Sequence, residues 1–287
     1  MTRLPIALLL LILAGCSPLT VFDAVVRKDR GAGLVAAGQP FAYGPRGKLD
    51  IYAPIGTPPG AGLPVIVFFY GGSWSMGKKE DYRFAGQALA AQGFVVVVPD
   101  YRLVQHARYP AFLEDGAAAV RWARANAARF GGDPDSIVLA GHSAGAYNAA
   151  MLSFDPKWLG RDREAVKGMI GLSGLYDFLP LDAPVTKYTF GHVKDADSTQ
   201  PVNFASSDDP PAMLLVGGKD GIVPPSNSER MAARLSQAGV PVETRVYEGV
   251  GHLGIMSTLS TLFRGKAPVL GDMAQFARKV TARGAVA

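Results

Sequence analysis

Short apolar runs recur along most of this chain, separated by longer stretches with the spacing of helices. The runs are rich in valine, and buried valine-rich strands that alternate with helices are typical of a mostly parallel sheet covered on both faces. The pattern therefore predicts an α/β domain without internal repeats. Predicted strands lie at 65–69, 94–98, 137–140, 169–174, 213–216 and 242–246, and predicted helices at 82–92, 111–129, 145–153, 226–238 and 272–282.

The first residues follow a different pattern, which is that of an export signal. Arg3 supplies a positive charge, and residues 6–13 form an apolar core that is too short to span a bilayer. Residues 1–15 are therefore predicted to be a signal peptide. The sequence Leu-Ala-Gly-Cys at its end resembles the bacterial lipobox, and Cys16 is the only cysteine of the chain. The alternative is an ordinary signal that is cut nearby, with an unused thiol.

The resemblance to the lipobox implies that Cys16 is lipidated and becomes the first residue of the mature protein. More than one acyl chain on this residue would anchor the protein stably to a lipid bilayer. Ser17 follows, and in Gram-negative lipoproteins of this kind a serine goes with delivery to the outer rather than the inner membrane. The implied location is the bacterial cell envelope, where a single cysteine allows no disulfide within the chain.

The remainder of the chain is predicted to form one domain after a short linker. Residues 16–38 are interpreted as a lipidated tether, and 39–287 as the folded domain. Two short strand candidates flank residues 44–48. A chain of this length can form one core by burial alone, without a second domain.

Composition excludes several classes of protein. Hydrophobic residues make up 48% of the chain and charged residues 18%, which argues against disorder. The formal net charge is +5, but no long cluster of Lys and Arg interleaves with aromatic residues. Nucleic acid is therefore not expected as a partner. The mildly basic surface fits solubility, or an attraction to anionic lipid headgroups.

Candidate chemistry centres on Ser143, in the pentapeptide Gly-His-Ser-Ala-Gly. This G-x-S-x-G motif lies between a predicted buried strand and a predicted helix, which is the setting of a nucleophile elbow. The serine of such an elbow lies on a sharp, strained turn, and side chains at Gly141 or Gly145 would collide with neighbouring elements. The alternative is a glycine-rich turn with an incidental serine.

A serine hydroxyl is a weak nucleophile until a base removes its proton, and the base needs an acid to orient it. His252 lies between glycines in a loop after a late strand, a position from which its side chain can reach across the end of the sheet. His142 belongs to the elbow itself and is expected to point away from the neighbouring hydroxyl. His106 and His192 lie in polar loops. His252 is therefore the predicted base.

The acid is expected between serine and histidine in the order Ser, Asp, His. Asp220 follows the predicted strand at 213–216, at the carboxyl end where α/β sheets place their ligands and catalytic groups. Asp177, after the strand at 169–174, is the competitor, and a turn or capping role is the alternative for either residue. Asp220 is preferred.

The order of these segments resembles the α/β-hydrolase superfamily, and within it the esterases related to hormone-sensitive lipase and to arylformamidases. The segment from Tyr70 to Trp74 follows a predicted strand and looks like the family's H-G-G-x-W loop. The resemblance implies an α/β-hydrolase fold, with a mostly parallel twisted sheet, helices on both faces and a small lid insertion. It runs from about residue 47 to about residue 273 and includes the segments 100–103, 115–124 and 131–134.

In this family, backbone N–H groups of the Gly-Gly loop and of the residue after the serine bind the oxyanion. Carried over by position, the resemblance assigns the oxyanion hole to Gly72, Ser73 and Ala144. Removing one such donor typically costs about 3–4 kcal/mol of transition-state stabilisation. In the family a histidine opens this loop, and its imidazole braces the loop. Tyr70 stands at that position here, and a tyrosine hydroxyl can substitute for the imidazole. The resemblance implies no metal and no organic cofactor.

Relatives place a small lid or pocket wall between the strands that correspond to 169–174 and 213–216. Residues 176–211 are the long irregular insertion at this place, and insertions of this length are often functional. Trp74, in the Gly-Gly loop, is interpreted as an aromatic packed at the pocket wall. The insertion's aromatic residues Phe178, Tyr188, Phe190 and Phe204 either line an acyl or alcohol pocket or pack beneath the loop.

The expected function is hydrolysis of a small-molecule carboxylic ester through an acyl-enzyme formed on Ser143. One alternative is an amidase of the arylformamidase kind, which would use the same residues on N-formylated aromatic amines. A second alternative is a binding or envelope-maintenance protein, anchored through Cys16, that keeps the fold without catalysis. The intact set of Ser143, Asp220 and His252 argues against this last alternative.

Overall fold

The computed structural model describes residues 18–42 and 44–282, and one eight-stranded sheet forms the centre of this part of the chain. The sheet is built mainly from the valine-rich runs. Its strands are β1 (Ala32–Pro40), β2 (Lys48–Pro54), β3 (Leu63–Phe69), β4 (Val95–Pro99), β5 (Gly132–His142), β6 (Val166–Leu172), β7 (Ala212–Gly217) and β8 (Val242–Tyr247).

The strands follow one another across the sheet in the order β1-β2-β4-β3-β5-β6-β7-β8. β2 pairs antiparallel with β1 and with β4, and every other neighbouring pair is parallel. The predicted mostly parallel sheet is therefore confirmed. Because the parallel strands all end at one edge, the loops that follow β3, β5, β7 and β8 converge there.

Helices cover both faces of the sheet, as predicted. α2 and α9 contact each other on one face, while α3 and α4 contact each other on the opposite face. The helices of the described residues are α1 (Pro18–Val25), α2 (Arg83–Ala90), α3 (Ala111–Asn126), α4 (Ala144–Phe154), α5 (Pro156–Leu159), α6 (Pro184–Phe190), α7 (Ser226–Gln237), α8 (His252–Ser257) and α9 (Val269–Thr281).

β6 shows why the central strands are apolar on both sides. Gly168 and Gly171 lie three residues apart on this strand and therefore face opposite layers. A Cβ at Gly168 would contact Phe276 and Val280 of α9, whereas a Cβ at Gly171 would approach Ala146 of α4. A strand packed by helices on both faces has no solvent side, so its sequence is a continuous apolar run.

Part of the segment predicted as a tether, 16–38, has regular secondary structure in the described residues. Residues 18–25 form helix α1, and the predicted domain boundary at 39 falls inside strand β1. Phe22 of α1 packs edge-on against Phe84 at a ring distance of 5.0 Å, and Asp23 Oδ1 accepts a hydrogen bond from the Phe84 backbone N–H at 2.8 Å. This segment is part of the folded body.

The insertion at 176–211 is less irregular than predicted, because it contains helix α6 and two short 3₁₀ turns. Phe178 and Phe190 pack against Tyr147 of α4, with ring distances of 5.8 and 5.5 Å. Phe190 is buried, whereas Tyr188 is 54% exposed. Phe178 and Phe190 therefore pack beneath the insertion, which is one of the two alternatives that the sequence left open.

The predicted signal peptide and Cys16 lie outside the described residues. Within the ranges that the structure describes, no helix is both long enough and apolar enough to cross a membrane.

Candidate active site

Ser143 lies on the sharp turn between β5 and α4, with φ 54° and ψ −121°. This conformation is unusual for a non-glycine residue and typically costs about 1–3 kcal/mol. The flanking residues must be glycines, because any side chain there would clash with the backbone. A Cβ at Gly145 would lie 2.1 Å from the Phe69 carbonyl oxygen, and one at Gly141 would lie 2.2 Å from the Gly145 carbonyl oxygen. The predicted elbow geometry is therefore present at Ser143.

His252 and Asp220 are hydrogen-bonded to each other, with 2.8 Å between His252 Nδ1 and Asp220 Oδ2. His252 begins α8, and Asp220 lies in the turn after β7. The second oxygen of Asp220 accepts the backbone N–H groups of Ile222 and Val223, at 3.0 and 2.8 Å. The carboxylate is therefore held on one side by the backbone and on the other by the imidazole.

The pKa of Asp220 is lowered from its ordinary value. Burial alone would raise this pKa, but the Val223 N–H, the Ser173 hydroxyl and the His252 imidazole outweigh burial by stabilising the charged form. Asp220 is therefore an anion at neutral pH, which favours a proton on His252 Nδ1. His252 Nε2 is then the nitrogen left for exchange of a proton with a substrate or with a serine hydroxyl.

Asp177, the competing aspartate, lies elsewhere. Its Oδ2 is 2.5 Å from Arg230 Nε, and its carbonyl oxygen accepts a hydrogen bond from Arg230 Nη2 at 2.7 Å. The structure therefore brings Asp220, and not Asp177, to His252. His106 and His192 belong to other parts of the surface, and His192 Nε2 contacts the Tyr109 carbonyl oxygen at 2.9 Å.

A cavity of about 270 Å³ has both Ser143 and His252 in its wall. Its other residues are mostly apolar, and three of them, Met76, Ile222 and Leu253, are exposed. A substrate in this cavity would contact the serine and the imidazole together. The lining residues are Leu19, Gly71, Gly72, Ser73, Met76, Gly77, Asp81, Tyr82, His142, Ser143, Ile222, His252 and Leu253.

The loop after β3 carries two of the predicted oxyanion donors, Gly72 and Ser73, into the same cavity. Gly72 has φ 131°, and a Cβ there would lie 2.2 Å from the Met76 carbonyl oxygen, so only glycine fits. Ser73 and Trp74 follow with φ 51° and 56°. This run of positive φ values turns the loop sharply. The backbone N–H groups of residues 75 and 76 stabilise the turn by donating hydrogen bonds to the Gly72 carbonyl oxygen.

The third predicted donor, Ala144, begins α4 directly after Ser143 and is fully buried. The first N–H groups of a helix have no partner within the helix and lie at its positive end. Among the residues that the structure describes, the N–H groups of Gly72, Ser73 and Ala144 have no hydrogen-bond acceptor. All three are therefore free to bind an oxygen of a substrate.

Tyr70 braces the loop through its hydroxyl group. The buried hydroxyl donates to Asp100 Oδ1 at 3.0 Å and accepts a hydrogen bond from Arg46 Nη2 at 2.6 Å. Arg46 also donates to the Gly77 carbonyl oxygen at 2.6 Å, at the far end of the loop. The Tyr70 carbonyl oxygen accepts the Tyr101 hydroxyl at 2.7 Å. Both ends of the loop are thus fixed by one buried polar network.

Arg46 and Tyr82 are supporting residues that sequence reasoning missed. Arg46 lies in the β1–β2 connection, where nothing local signals a contact with a loop more than twenty residues away. Tyr82 accepts a hydrogen bond from the Gly71 N–H at 3.1 Å, inside the cavity wall. Tyr82 therefore fixes the position of the peptide unit between Tyr70 and Gly71.

His142 lines the cavity beside His252, with 4.8 Å between the two ring centroids. Its Nε2 lies 3.0 Å from the His252 carbonyl oxygen, which can only accept, so Nε2 carries the proton. Burial, reinforced by the nearby His252, lowers the pKa of His142 to about 3. His142 is therefore a neutral residue that contacts the backbone of the predicted base.

Trp74 does not line the cavity but lies behind it. Its ring packs against Phe112 at 5.6 Å and against Phe190 at 5.0 Å, and its indole N–H donates to Asn148 Oδ1 at 3.1 Å. Trp74 thus joins the loop after β3 to the insertion. Within the described residues, no group of three or more acidic, histidine or cysteine side chains is arranged to hold a metal ion.

Comparison with known families gives the decisive match: residues 49–235, more than half of the chain, fit the model described as BD-FAE. The chain belongs to the BD-FAE family. All the predicted triad and oxyanion residues except His252 lie within the part matched to BD-FAE, whereas helix α1 and strand β1 precede it. The predicted membership among the α/β-hydrolase esterases is confirmed.

This BD-FAE protein has relatives named as esterases. It is 30% identical to Esterase LipC of Mycobacterium tuberculosis over 193 residues, which cover 60% of this chain and 48% of that protein. It is 45% identical to Carboxylesterase NlhH of the same organism over 93 residues, which cover 32% and 29% of the two chains. The chain spans about half the length of LipC and the other curated relatives that it matches over most of its own length.

Solved structures confirm the α/β-hydrolase fold of this BD-FAE protein. A truncated carbohydrate esterase from gut microbiota superposes with a TM-score of 0.76 at 21% identity, covering 90% of this chain and all of that one. Thermogutta terrifontis esterase 2 phosphonylated by sarin superposes with a TM-score of 0.73 at 22% identity, covering 86% of this chain and 96% of that one. At these identities the likeness concerns the fold alone.

Proposed function

We propose that this protein is a serine carboxylesterase and that Ser143, His252 and Asp220 act as its catalytic triad. In this mechanism, Ser143 Oγ attacks the carbonyl carbon of an ester while His252 Nε2 takes the hydroxyl proton. Asp220 holds the imidazole through Nδ1 and stabilises its charged form. The N–H groups of Gly72, Ser73 and Ala144 bind the oxyanion that develops on the carbonyl oxygen.

The intermediate collapses when the bond to the alcohol oxygen breaks, and the alcohol leaves with the proton that His252 carried. The acyl group then remains bound to Ser143 as an ester. Water attacks this acyl-enzyme, again with His252 as the base, and the carboxylic acid is released as Ser143 recovers its proton. Each step uses only groups described above.

One observation carries the proposal most directly: the 2.8 Å hydrogen bond between His252 and Asp220 borders the cavity in which Ser143 stands on its strained turn. These three residues are far apart in sequence, and a chance meeting of this kind beside free backbone N–H groups is improbable. The esterase names of the relatives LipC and NlhH support the same reaction class. No observation favours amide over ester hydrolysis.

Replacement of Ser143 tests the mechanism. We expect Ser143→Ala to lower kcat on a short chromogenic ester by a factor on the order of 10⁶ and to abolish labelling by a fluorophosphonate probe. Ser153→Ala is the matched control, because Ser153 is also buried, lies on α4, and its hydroxyl has no partner among the described residues. Undiminished turnover or labelling in a folded Ser143→Ala protein would disprove the proposal.

We also infer that Cys16 is lipidated and anchors the enzyme in the bacterial cell envelope, with the outer membrane favoured over the inner one. The inference rests on the lipobox-like sequence that ends at Cys16, and on Ser17 after it. In a Gram-negative host, labelled palmitate should enter the wild-type protein and not the Cys16→Ser variant. Equal labelling of the two proteins, or labelling of neither, would contradict the inference.

A further inference from the structure

Helix α1 contributes a side chain to the candidate active site. Leu19, the second residue of the helix, lines the same cavity as Ser143 and His252. The family match begins at residue 49, so this helix lies outside the part of the chain that the BD-FAE model covers. The cavity wall that α1 supplies therefore lies outside the matched region.

Several contacts fix α1 over the cavity. Thr20 Oγ1 donates a hydrogen bond of 2.7 Å to Asp81 Oδ1, and Asp81 is itself a lining residue. One turn further along, Phe22 packs against Phe84 and stacks on Phe263 at a ring distance of 6.0 Å. Because polar and aromatic contacts hold both sides of the helix, the position of Leu19 relative to Ser143 is defined rather than variable.

The reaction geometry indicates which part of an ester would meet Leu19. The alcohol must leave beside His252, because His252 gives it a proton, and the carbonyl oxygen must face Gly72 and Ser73. The acyl chain occupies the remaining direction. Thr20, the residue after Leu19, binds Asp81, and Leu19 shares the cavity wall with Asp81 and Tyr82, which follow the oxyanion loop in the chain.

We propose that Leu19 closes the end of the acyl pocket and restricts the enzyme to esters of short, apolar acyl groups. This proposal rests on the proposed ester hydrolysis at Ser143. The cavity of about 270 Å³ is smaller than the pockets of about 300–1,000 Å³ that take drug-sized ligands. Leu19, Met76 and Tyr82 give it apolar walls on this side, so a short alkyl chain fills it and a longer chain collides with α1.

Substitutions that shorten or lengthen the side chain at residue 19 test the proposal. With esters of one alcohol and linear acyl chains from acetyl to octanoyl, we expect Leu19→Ala to move the highest kcat/KM to chains about two carbons longer. Each further methylene that becomes buried should raise relative kcat/KM by about fourfold. Leu19→Trp should move the optimum in the opposite direction, towards acetyl.

Val25→Ala is the matched control on the same helix, because Val25 is 77% exposed and does not line the cavity. It should leave the chain-length profile of the wild type unchanged. Thermal melting of each variant establishes that α1 is still docked. An unchanged profile in both folded Leu19 variants would overturn the proposal.

A binding measurement separates this proposal from the proposed function. In the Ser143→Ala background, calorimetric affinities for linear alkanamides from acetamide to octanamide report the pocket without any turnover. We expect Leu19→Ala to shift the tightest binding to longer chains there as well. If Leu19→Ala leaves the affinity profile of that background unchanged, the proposal is overturned even where the ester hydrolysis is correct. A shifted profile would show that Leu19 limits the length of the bound alkyl chain, and a failed Ser143→Ala test would then overturn the proposed function and not this contact.

Discussion

At the scale of single residues, the carboxylate of Asp220 decides how the imidazole of His252 is oriented. Two backbone N–H groups hold one oxygen of Asp220, and His252 Nδ1 lies 2.8 Å from the other. An amide in place of this carboxylate would present either a donor to Nδ1 or an oxygen without charge. The imidazole would then adopt the wrong tautomer, or lose the stabilisation of its charged form.

We therefore expect Asp220→Asn to lower kcat by about 10⁴ while the protein stays folded, as judged by its melting temperature. Asp177→Asn is the informative comparison, because sequence reasoning left Asp177 as a competitor and the structure pairs it with Arg230 instead. It should retain the wild-type kcat. A large loss in Asp177→Asn together with a small loss in Asp220→Asn would reverse the assignment.

His142 makes the stability of the protein depend on pH. Its folded-state pKa of about 3 lies below the ordinary value of 6.5, because burial opposes its charge. Between these two values the unfolded chain binds a proton that the folded chain does not. The free energy of unfolding therefore falls as the pH falls below about 6.5, by up to about 1.4 kcal/mol per pH unit.

Urea unfolding of wild type and His142→Gln at pH 7 and pH 5 measures this contribution. Glutamine can still donate to the His252 carbonyl oxygen but does not titrate. We expect the loss of stability between the two pH values to be about 2 kcal/mol smaller in the variant. Burial also raises the pKa of Asp209 to about 6, but this group affects both proteins alike. Equal losses in the two proteins would show that His142 does not titrate in this way.

At the scale of elements, the loop after β3 depends on contacts from three other segments. Arg46 from the β1–β2 connection, Asp100 after β4, and Tyr82 before α2 all bind it. Tyr82 is the closest of these to the chemistry, because its hydroxyl oxygen holds the Gly71 N–H inside the cavity wall. The loop that carries the proposed oxyanion donors is therefore held in place by the protein itself.

Tyr82→Phe removes only the hydroxyl that holds Gly71. We expect kcat to fall by about five- to tenfold with little change in KM, which is the effect of losing one hydrogen bond of about 1 kcal/mol that positions the oxyanion donors. Tyr52→Phe is the matched control, since Tyr52 is also buried and its hydroxyl has no partner among the described residues. A loss of kcat in Tyr52→Phe of the same size would assign the effect to core packing instead.

The sequence predicts best those elements that are buried at every position, because their own residues form a continuous apolar run. All five residues of β4 are buried, and a strand of that kind is apolar at every position, so it is visible without the fold. β1 is built largely from alanine and glycine at a sheet edge, and no periodicity marks it. α1 is held in position by packing against Phe84 and Phe263. These residues are distant in sequence, so the contacts could not be predicted from the sequence.

At the scale of the whole molecule, the parts of the site that the sequence predicts are local motifs, and the parts that it misses depend on contacts between distant segments. The elbow at Ser143 is a local motif, and His252 and Asp220 follow from chain order and strand ends. Leu19 and Arg46 act through contacts between segments that only the assembled sheet brings together. The sequence left open whether the aromatic residues of the insertion line a pocket or pack beneath the loop, and in the structure Phe178 and Phe190 pack around Trp74.

The N-terminal segment also ties the first described residues to the last third of the chain. Arg264 forms two hydrogen bonds with the carboxylate of Asp29, at 3.0 and 2.9 Å, and the Thr261 hydroxyl donates to the Arg27 carbonyl oxygen at 2.9 Å. Phe22 stacks on Phe263 at a ring distance of 6.0 Å, so apolar contact joins the same two regions. A tether would have no such contacts, and its removal would leave the folded domain unchanged.

Two shortened chains distinguish a structural segment from a tether. A chain that begins at Pro18 keeps every contact of the described residues, and we expect its Tm to match that of the full chain. A chain that begins at Gly31 loses α1, the Phe22 packing and the Asp29 ion pair. Val26 is buried and Phe22 half-buried, and the loss of large apolar side chains of this kind typically costs about 3–5 kcal/mol, so the Tm of this chain should fall by about 10 °C. Equal melting temperatures for the two shortened chains would restore the interpretation of residues 18–30 as a tether, and would also remove the basis for placing Leu19 in the cavity wall.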